Sequence, residues 1–138
     1  MDKIVHEFSR IIEIKDQILN KKHKLEATYE ELRALASRFD VIRIDNLYLD
    51  FMIIPKHDIL GAYDLVATIK SRVIKFIIDE NEESIDIDEN FDVVLLTNDM
   101  AKNNYEELRE RDIEIFNEDK RIDVGEIASQ YLSLCIFM

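Results

Sequence analysis

Residues 63–96 read YDLVATIKSRVIKFIIDENEESIDIDENFDVVLL, two β-rich runs on either side of an acidic centre. Tyr63 to Ile78 is dense in β-branched and aromatic residues, and its length predicts a bent strand or one interrupted by a bulge. Asp79 to Ser84 is polar and reads as a turn. From Ile85 to Leu96 the apolar residues Ile85, Ile87, Phe91 and Val93 fit a second strand with one solvated face, allowing one irregularity. Two such runs around a polar turn predict a β-hairpin.

Upstream, Leu47, Leu49, Phe51 and Ile53 alternate on one face of a further strand. Pro55 closes it, because proline lacks the donor needed to continue a ladder. His57 to Gly61 supplies the next turn. Thr28-Tyr29-Glu30-Glu31 has capping-box spacing, and Tyr29, Leu32, Leu35, Ala36 and Phe39 recur at helical intervals. A helix over 29–39 is expected. Before it, Phe8 to Ile14 and Lys22 to Ala27 read as two short strands. Downstream, residues 97–112 are polar and weakly patterned, and are expected to form a mobile loop with one helical turn at Tyr105 to Arg109. Ile113 to Phe116 is a short strand. Asp123-Val124-Gly125-Glu126 repeats the capping spacing, with Ile122 and Ile127 placed as a hydrophobic staple. Ile127, Tyr131, Leu134 and Cys135 then line one face of a C-terminal helix. The expectation is an α+β fold: a mainly antiparallel sheet with one helix in the N-terminal half and a C-terminal helix packed on it.

Composition narrows the function classes. A chain of 138 residues, 47% of them apolar, is enough for one domain with its own core. The N-terminus lacks a signal-peptide core, and no run approaches the ~18 apolar residues of a membrane span. Cys135 is the only cysteine, so no internal disulfide forms and no cysteine zinc cage exists. These features fit a reducing cytoplasm. With 18 basic residues against 30 acidic ones the formal charge is −12, a surface that repels phosphate backbones and suits a basic protein partner.

No catalytic constellation is legible, and neither a cofactor nor a small-molecule substrate is expected. Gly61 and Gly125 are the only glycines, which excludes a Walker loop and a dinucleotide fingerprint. His6, His23 and His57 stand far apart, and no serine has a nucleophile-elbow setting. Asp86-Ile87-Asp88-Glu89-Asn90 resembles the start of a calcium loop, but Phe91 stands where glycine is needed and Thr97 where the closing glutamate belongs. Two candidate surfaces remain. One is acidic: Asp79, Glu80, Glu82, Glu83, Asp86, Asp88 and Glu89, suited to docking a basic protein. The other is basic: Lys21, Lys22, Lys24, Lys70 and Arg72, a set that direct RNA binding would use.

Four stretches carry a family resemblance. His6-Glu7-Phe8-Ser9-Arg10 resembles an E-F-S-R opening, and residues 25–39, LEATYEELRALASRF, resemble an A-x-x-E-R-x-A-L-A-R-R-F helix. Residues 89–95, ENFDVVL, are similar to an E-x-F-x-V-x-F strand, and residues 122–134, IDVGEIASQYLSL, to I-D-L-G-E-x-x-x-Q-Y-L-x-L. In this order they resemble the YceD family, the large ribosomal RNA subunit accumulation proteins, and most of all its alphaproteobacterial branch. The resemblance implies a single YceD-like domain over 1–138 and a bacterial, non-enzymatic role in synthesis, processing or stability of large-subunit ribosomal RNA. The implied partner is a large-subunit ribosomal protein or an rRNA precursor particle. Two departures stand out. Phe76 occupies the place of the cysteine that members carry after the long strand, so a thiolate metal site is not expected. Relatives also continue past the equivalent of Met138 into a short charged tail, so the apolar ending Ile136-Phe137-Met138 reads as a truncation.

Overall fold

The computed structural model describes residues 8–56, 61–97, 113–116 and 120–137. The chain begins with β1 (Ile11–Glu13), a 3-10 turn (Asp16–Ile18), β2 (His23–Glu26) and helix α1 (Tyr29–Phe39). Three long strands follow, β3 (Arg43–Pro55), β4 (Tyr63–Ile78) and β5 (Asn81–Thr97). Then come β6 (Ile113–Phe116), β7 (Arg121–Asp123) and helix α2 (Val124–Phe137). The main sheet has the order β2-β3-β4-β5-β6, antiparallel from β2 to β5, while β6 runs parallel to the end of β5. β1 and β7 form a separate antiparallel pair. The fold is α+β, as expected from the pattern. Among the described residues no helix is long and apolar enough to cross a membrane.

Local chemistry accounts for most boundaries. α1 starts at Thr28, whose hydroxyl accepts from the Glu31 amide at 3.3 Å while Glu31 Oε1 accepts from the Thr28 amide at 2.8 Å. This is the predicted capping box. The helix ends at Asp40, in the left-handed region. β4 carries the expected bulge, a register shift between Ile74 and Phe76. A second shift, between Ile44 and Asn46, bends β3. It is secured by Ser71, whose hydroxyl donates to the Asn46 carbonyl at 2.6 Å, and by Asn46 Oδ1, which accepts from the Arg72 amide at 2.9 Å.

Several expectations change. The hairpin turn is only Asp79 and Glu80, and β5 begins at Asn81 rather than Ile85. Of residues 8–14 only Ile11–Glu13 form a strand, which pairs with β7 and not with the main sheet. Thr97 closes β5, and the remainder of the segment expected to be a mobile loop lies outside the described residues, as do His6 and His57.

One face of the sheet holds the core. Leu47, Leu49, Phe51 and Ile53 of β3 share it with Leu65, Ala67, Ile69 and Val73 of β4 and with Ile87, Phe91 and Val93 of β5. α1 adds Leu32, Leu35, Ala36 and Phe39 to that cluster, and α2 adds Val124, Ile127, Ala128, Leu132 and Ile136. The predicted face of α2 needs correction. Tyr131 and Cys135 do pack against the core, but Leu134 is 57% exposed. The buried stripe includes the small residues Gly125, Ala128 and Ser129, which a search for large apolar side chains passes over.

Residues 8–10 bind the two helices together. Arg10 Nη2 donates to Glu31 Oε1 at 2.7 Å, the carboxylate that also closes the α1 capping box. The Arg10 amide donates to Asp123 Oδ1 at 2.8 Å, and the Ser9 hydroxyl donates to Asp123 Oδ2. Asp123 in turn caps α2, accepting from the Glu126 amide at 3.0 Å. The Glu126 carboxylate pairs with Arg38 of α1 at 2.6 and 2.9 Å. Phe8, 1% exposed, seats the segment in the core. Gly125 makes this close approach possible, because a Cβ there would lie 2.5 Å from the Phe8 carbonyl oxygen.

Two outcomes follow from this clasp. Gly125→Ala should destabilise the protein by about 2 kcal/mol or more through forced overpacking against backbone, read as a lower urea midpoint; an unchanged midpoint contradicts the close contact. The Arg10 guanidinium hydrogen bond holds the Glu31 carboxyl below its ordinary range. A depressed folded-state value means that the pairing stabilises fully above the ordinary value of 4.5 and is lost as pH falls through the lower folded-state value. Glu31→Gln should therefore cost about 1.5 kcal/mol at neutral pH and lose part of the acid sensitivity of unfolding. Parallel pH–stability curves for the two proteins would contradict it.

Candidate protein-docking surface

The β4–β5 hairpin outruns the rest of the sheet. β3 begins at Arg43, opposite Ile74, so the distal residues of β4 have only β5 beside them among the described strands. Asp79 and Glu80 turn the chain with φ of 49° and 68°. Positive φ at both central residues is the geometry of a two-residue type I′ hairpin, whose twist matches that of the strands it joins. Neither residue is glycine, so the turn carries some backbone strain.

The acidic candidates do not form one surface. Asp79 and Glu80 sit at the exposed tip, followed by exposed Glu82 and Glu83. Asp86 and Asp88 lie on the sheet face away from the helices, opposite Arg72 and Lys70 in the ladder. Glu89 takes the helix-side phase of the alternation, which accounts for the irregularity in the sequence without any slip of register. There it stands near Cys135. Burial first, and then the Glu89 charge, push the Cys135 thiol up, away from a reactive thiolate. Among the described residues Asp79, Glu80, Glu83, Asp88 and Glu89 make no ion pair. Glu82 is held by Arg43, which also binds Asp45 at 2.7 Å. Asp86 is held by Arg72 at 3.0 Å.

The basic candidates are equally interleaved. Lys24 faces Asp50 across β2 and β3, Lys70 stands between Tyr48 and Asp88, and Arg72 reaches both Asp86 and Asp45. Lys21 and Lys22 are exposed just before β2. On this face a shallow groove of about 480 Å³ is lined by Lys22, Asp50, Met52, Val66, Thr68, Asn90 and Asp92. Asp50, Asp86 and Asp88 stand beside Lys24, Arg72 and Lys70, and no basic track of the kind phosphates follow emerges among the described residues. Among the described residues no 3 His, Cys, Asp or Glu side chains are grouped as metal ligands would be.

One feature of the hairpin escaped the sequence reading. Phe76, Ile77 and Ile78 are 46%, 53% and 52% exposed beside the acidic tip, with Phe76 and Ile78 on one face of the ribbon and Ile77 on the other. Three consecutive large apolar residues ahead of a polar turn were the available signal. They read there as strand interior, because nothing in the pattern shows that β3 ends before reaching them.

Comparison with protein-family models, with curated proteins and with solved structures finds no match for this chain.

The strained turn yields its own test. Glu80→Gly places glycine where a type I′ turn favours it and should stabilise the chain by about 0.5–1 kcal/mol. The check is the urea midpoint; a decrease would rule out a left-handed residue at this position.

Proposed function

We propose that this chain is a non-catalytic cytoplasmic factor that supports synthesis, processing or stability of large-subunit ribosomal RNA by docking a basic ribosomal protein. The observation that carries the docking mode is the end of the β4–β5 hairpin. It extends beyond β3 and presents exposed Asp79, Glu80, Glu82 and Glu83 next to exposed Phe76, Ile77 and Ile78. Exposed apolar side chains beside a mainly acidic tip are the composition of a protein contact, in which burial holds the partner and charge selects it. The ribosomal setting rests on the resemblance to the YceD family, and the preference for a basic partner rests on the formal charge of −12.

Direct RNA binding is the weaker reading. Arg72 is already paired with Asp86, and Lys24 and Lys70 each face an acidic residue in the ladder. A phosphate backbone laid across that face would meet Asp50, Asp86 and Asp88 beside those cations.

Pull-down of the tagged protein from bacterial lysate, with and without ribonuclease, tests the proposal. Large-subunit ribosomal proteins should be recovered after ribonuclease treatment. Asp79→Lys, Glu80→Lys and Glu83→Lys combined should reduce that recovery about tenfold or more. Recovery of large-subunit rRNA that persists once proteins are stripped would overturn it.

A further inference from the structure

Among the described residues β5 has an open edge. Its pairing with β6 covers only Val94 to Thr97, so from Asn81 to Val93 no described strand lies on the side away from β4. The backbone groups that face this edge can be assigned. The Ile74 carbonyl accepts from the Ile42 amide, and the Arg72 amide donates to Asn46, so both residues direct their backbone groups towards β3. Their ladder partners on β5, Ser84 and Asp86, therefore direct theirs away from β4. Alternation extends the series to Asp88 and Asn90, whose carbonyl lies 3.5 Å from the Tyr131 hydroxyl. Ser84, Asp86 and Asp88 are exposed. Their N–H and C=O groups form a strand-pairing template.

Charge identifies what fits it. Residues 81–93 contain Glu82, Glu83, Asp86, Asp88, Glu89 and Asp92, with no lysine or arginine among them. A second copy of this chain is unsuited to the edge. Antiparallel self-pairing about Ile87 would set Asp86 against Asp88 and Glu82 against Asp92, and like charges directly opposite are destabilising. A segment with lysine or arginine at alternate positions meets the reverse situation. Its cations would lie beside Asp86 and Asp88 on the open face, and its apolar residues beside Ile85 and Ile87 on the helix side.

We infer that the Asn81–Glu89 edge of β5 is a strand-addition site for an extended basic segment of a protein partner, which joins the sheet beside β5. The inference rests on the proposed docking of a basic protein and specifies how that partner is held. Main-chain hydrogen bonds supply affinity, and alternate side chains supply selectivity.

The test uses the full chain and a synthetic peptide of alternating lysine and valine, about ten residues long, an ordinary strand length. Saturating peptide should slow amide exchange at Ser84, Asp86 and Asp88 about tenfold or more, as new ladder hydrogen bonds protect them. Ser84→Pro removes an outward donor without changing charge, and should weaken peptide binding about tenfold relative to Ser84→Ala. Unchanged exchange at these amides, or equal binding by the two variants, overturns strand addition. The exchange measurement needs only the native sequence and holds even if the proline variant folds poorly. Purified large-subunit proteins separate the two claims. If they bind the native chain and Ser84→Pro equally, basic-protein docking stands and strand addition falls. If none of them binds while the peptide still protects β5, strand addition stands and the ribosomal reading falls.

Discussion

Arg10 is the tie on which the helical side of this protein depends. Its guanidinium holds the carboxylate that caps α1, and its amide is held by the carboxylate that caps α2. Each helix start leaves amide donors unsatisfied, and here one short segment organises both sets of acceptors. The arrangement requires Phe8 to lie against the first turn of α2, which only glycine at position 125 permits. Segments more than a hundred residues apart in sequence are thereby fixed to a common point (Ser9 meets Asp123 across 114 positions). The Arg38–Glu126 pair repeats the link between the helices at a more exposed place, where it contributes less.

The sheet side follows a different logic. β4 and β5 are longer than the core they serve, so the hairpin continues into solvent past the start of β3. An exposed ribbon with an open edge is an aggregation hazard, and runs of like charge are one means of blunting it. The acidic residues of β5 oppose pairing with another copy of the same strand, and the same charge would favour a basic chain. Scaffold and surface are thus separated: the clasp secures the helices, while the hairpin presents charge, apolar side chains and, among the described residues, a strand edge with no neighbouring strand. Three of the four stretches that carry the family resemblance meet in the clasp, through Ser9 and Arg10, Glu31, and Asp123 with Gly125. Their pattern therefore speaks first to how the chain folds.

Much of the architecture was legible where one local rule dominates. The capping box at Thr28 and the spacing of Leu32, Leu35, Ala36 and Phe39 mark α1 to its ends, and the β-rich run from Tyr63 to Ile78 matches β4. Legibility fails where the determining contact is distant. β7 is three residues long and exists because β1 pairs with it, which no local pattern reveals. α2 is apolar nearly all round, so periodicity does not orient it, and Leu134 faces out where the spacing places it inside. The acidic cluster was visible as composition, but its division between two faces depends on the β4–β5 register, and Glu89 shows its phase only once that register is known. The exposure of Phe76 to Ile78 and the open edge of β5 are consequences of where neighbouring strands stop. Those endpoints are properties of the fold.

The most direct measurement is the affinity of the purified chain for RNA-free large-subunit ribosomal proteins beside its affinity for protein-free large-subunit rRNA, each over a range of salt. Docking through the acidic hairpin predicts saturable binding to one or more of the basic proteins, weakening as salt rises, and no comparable binding to the naked RNA. Tight, salt-sensitive binding to the RNA with none to the proteins would contradict it.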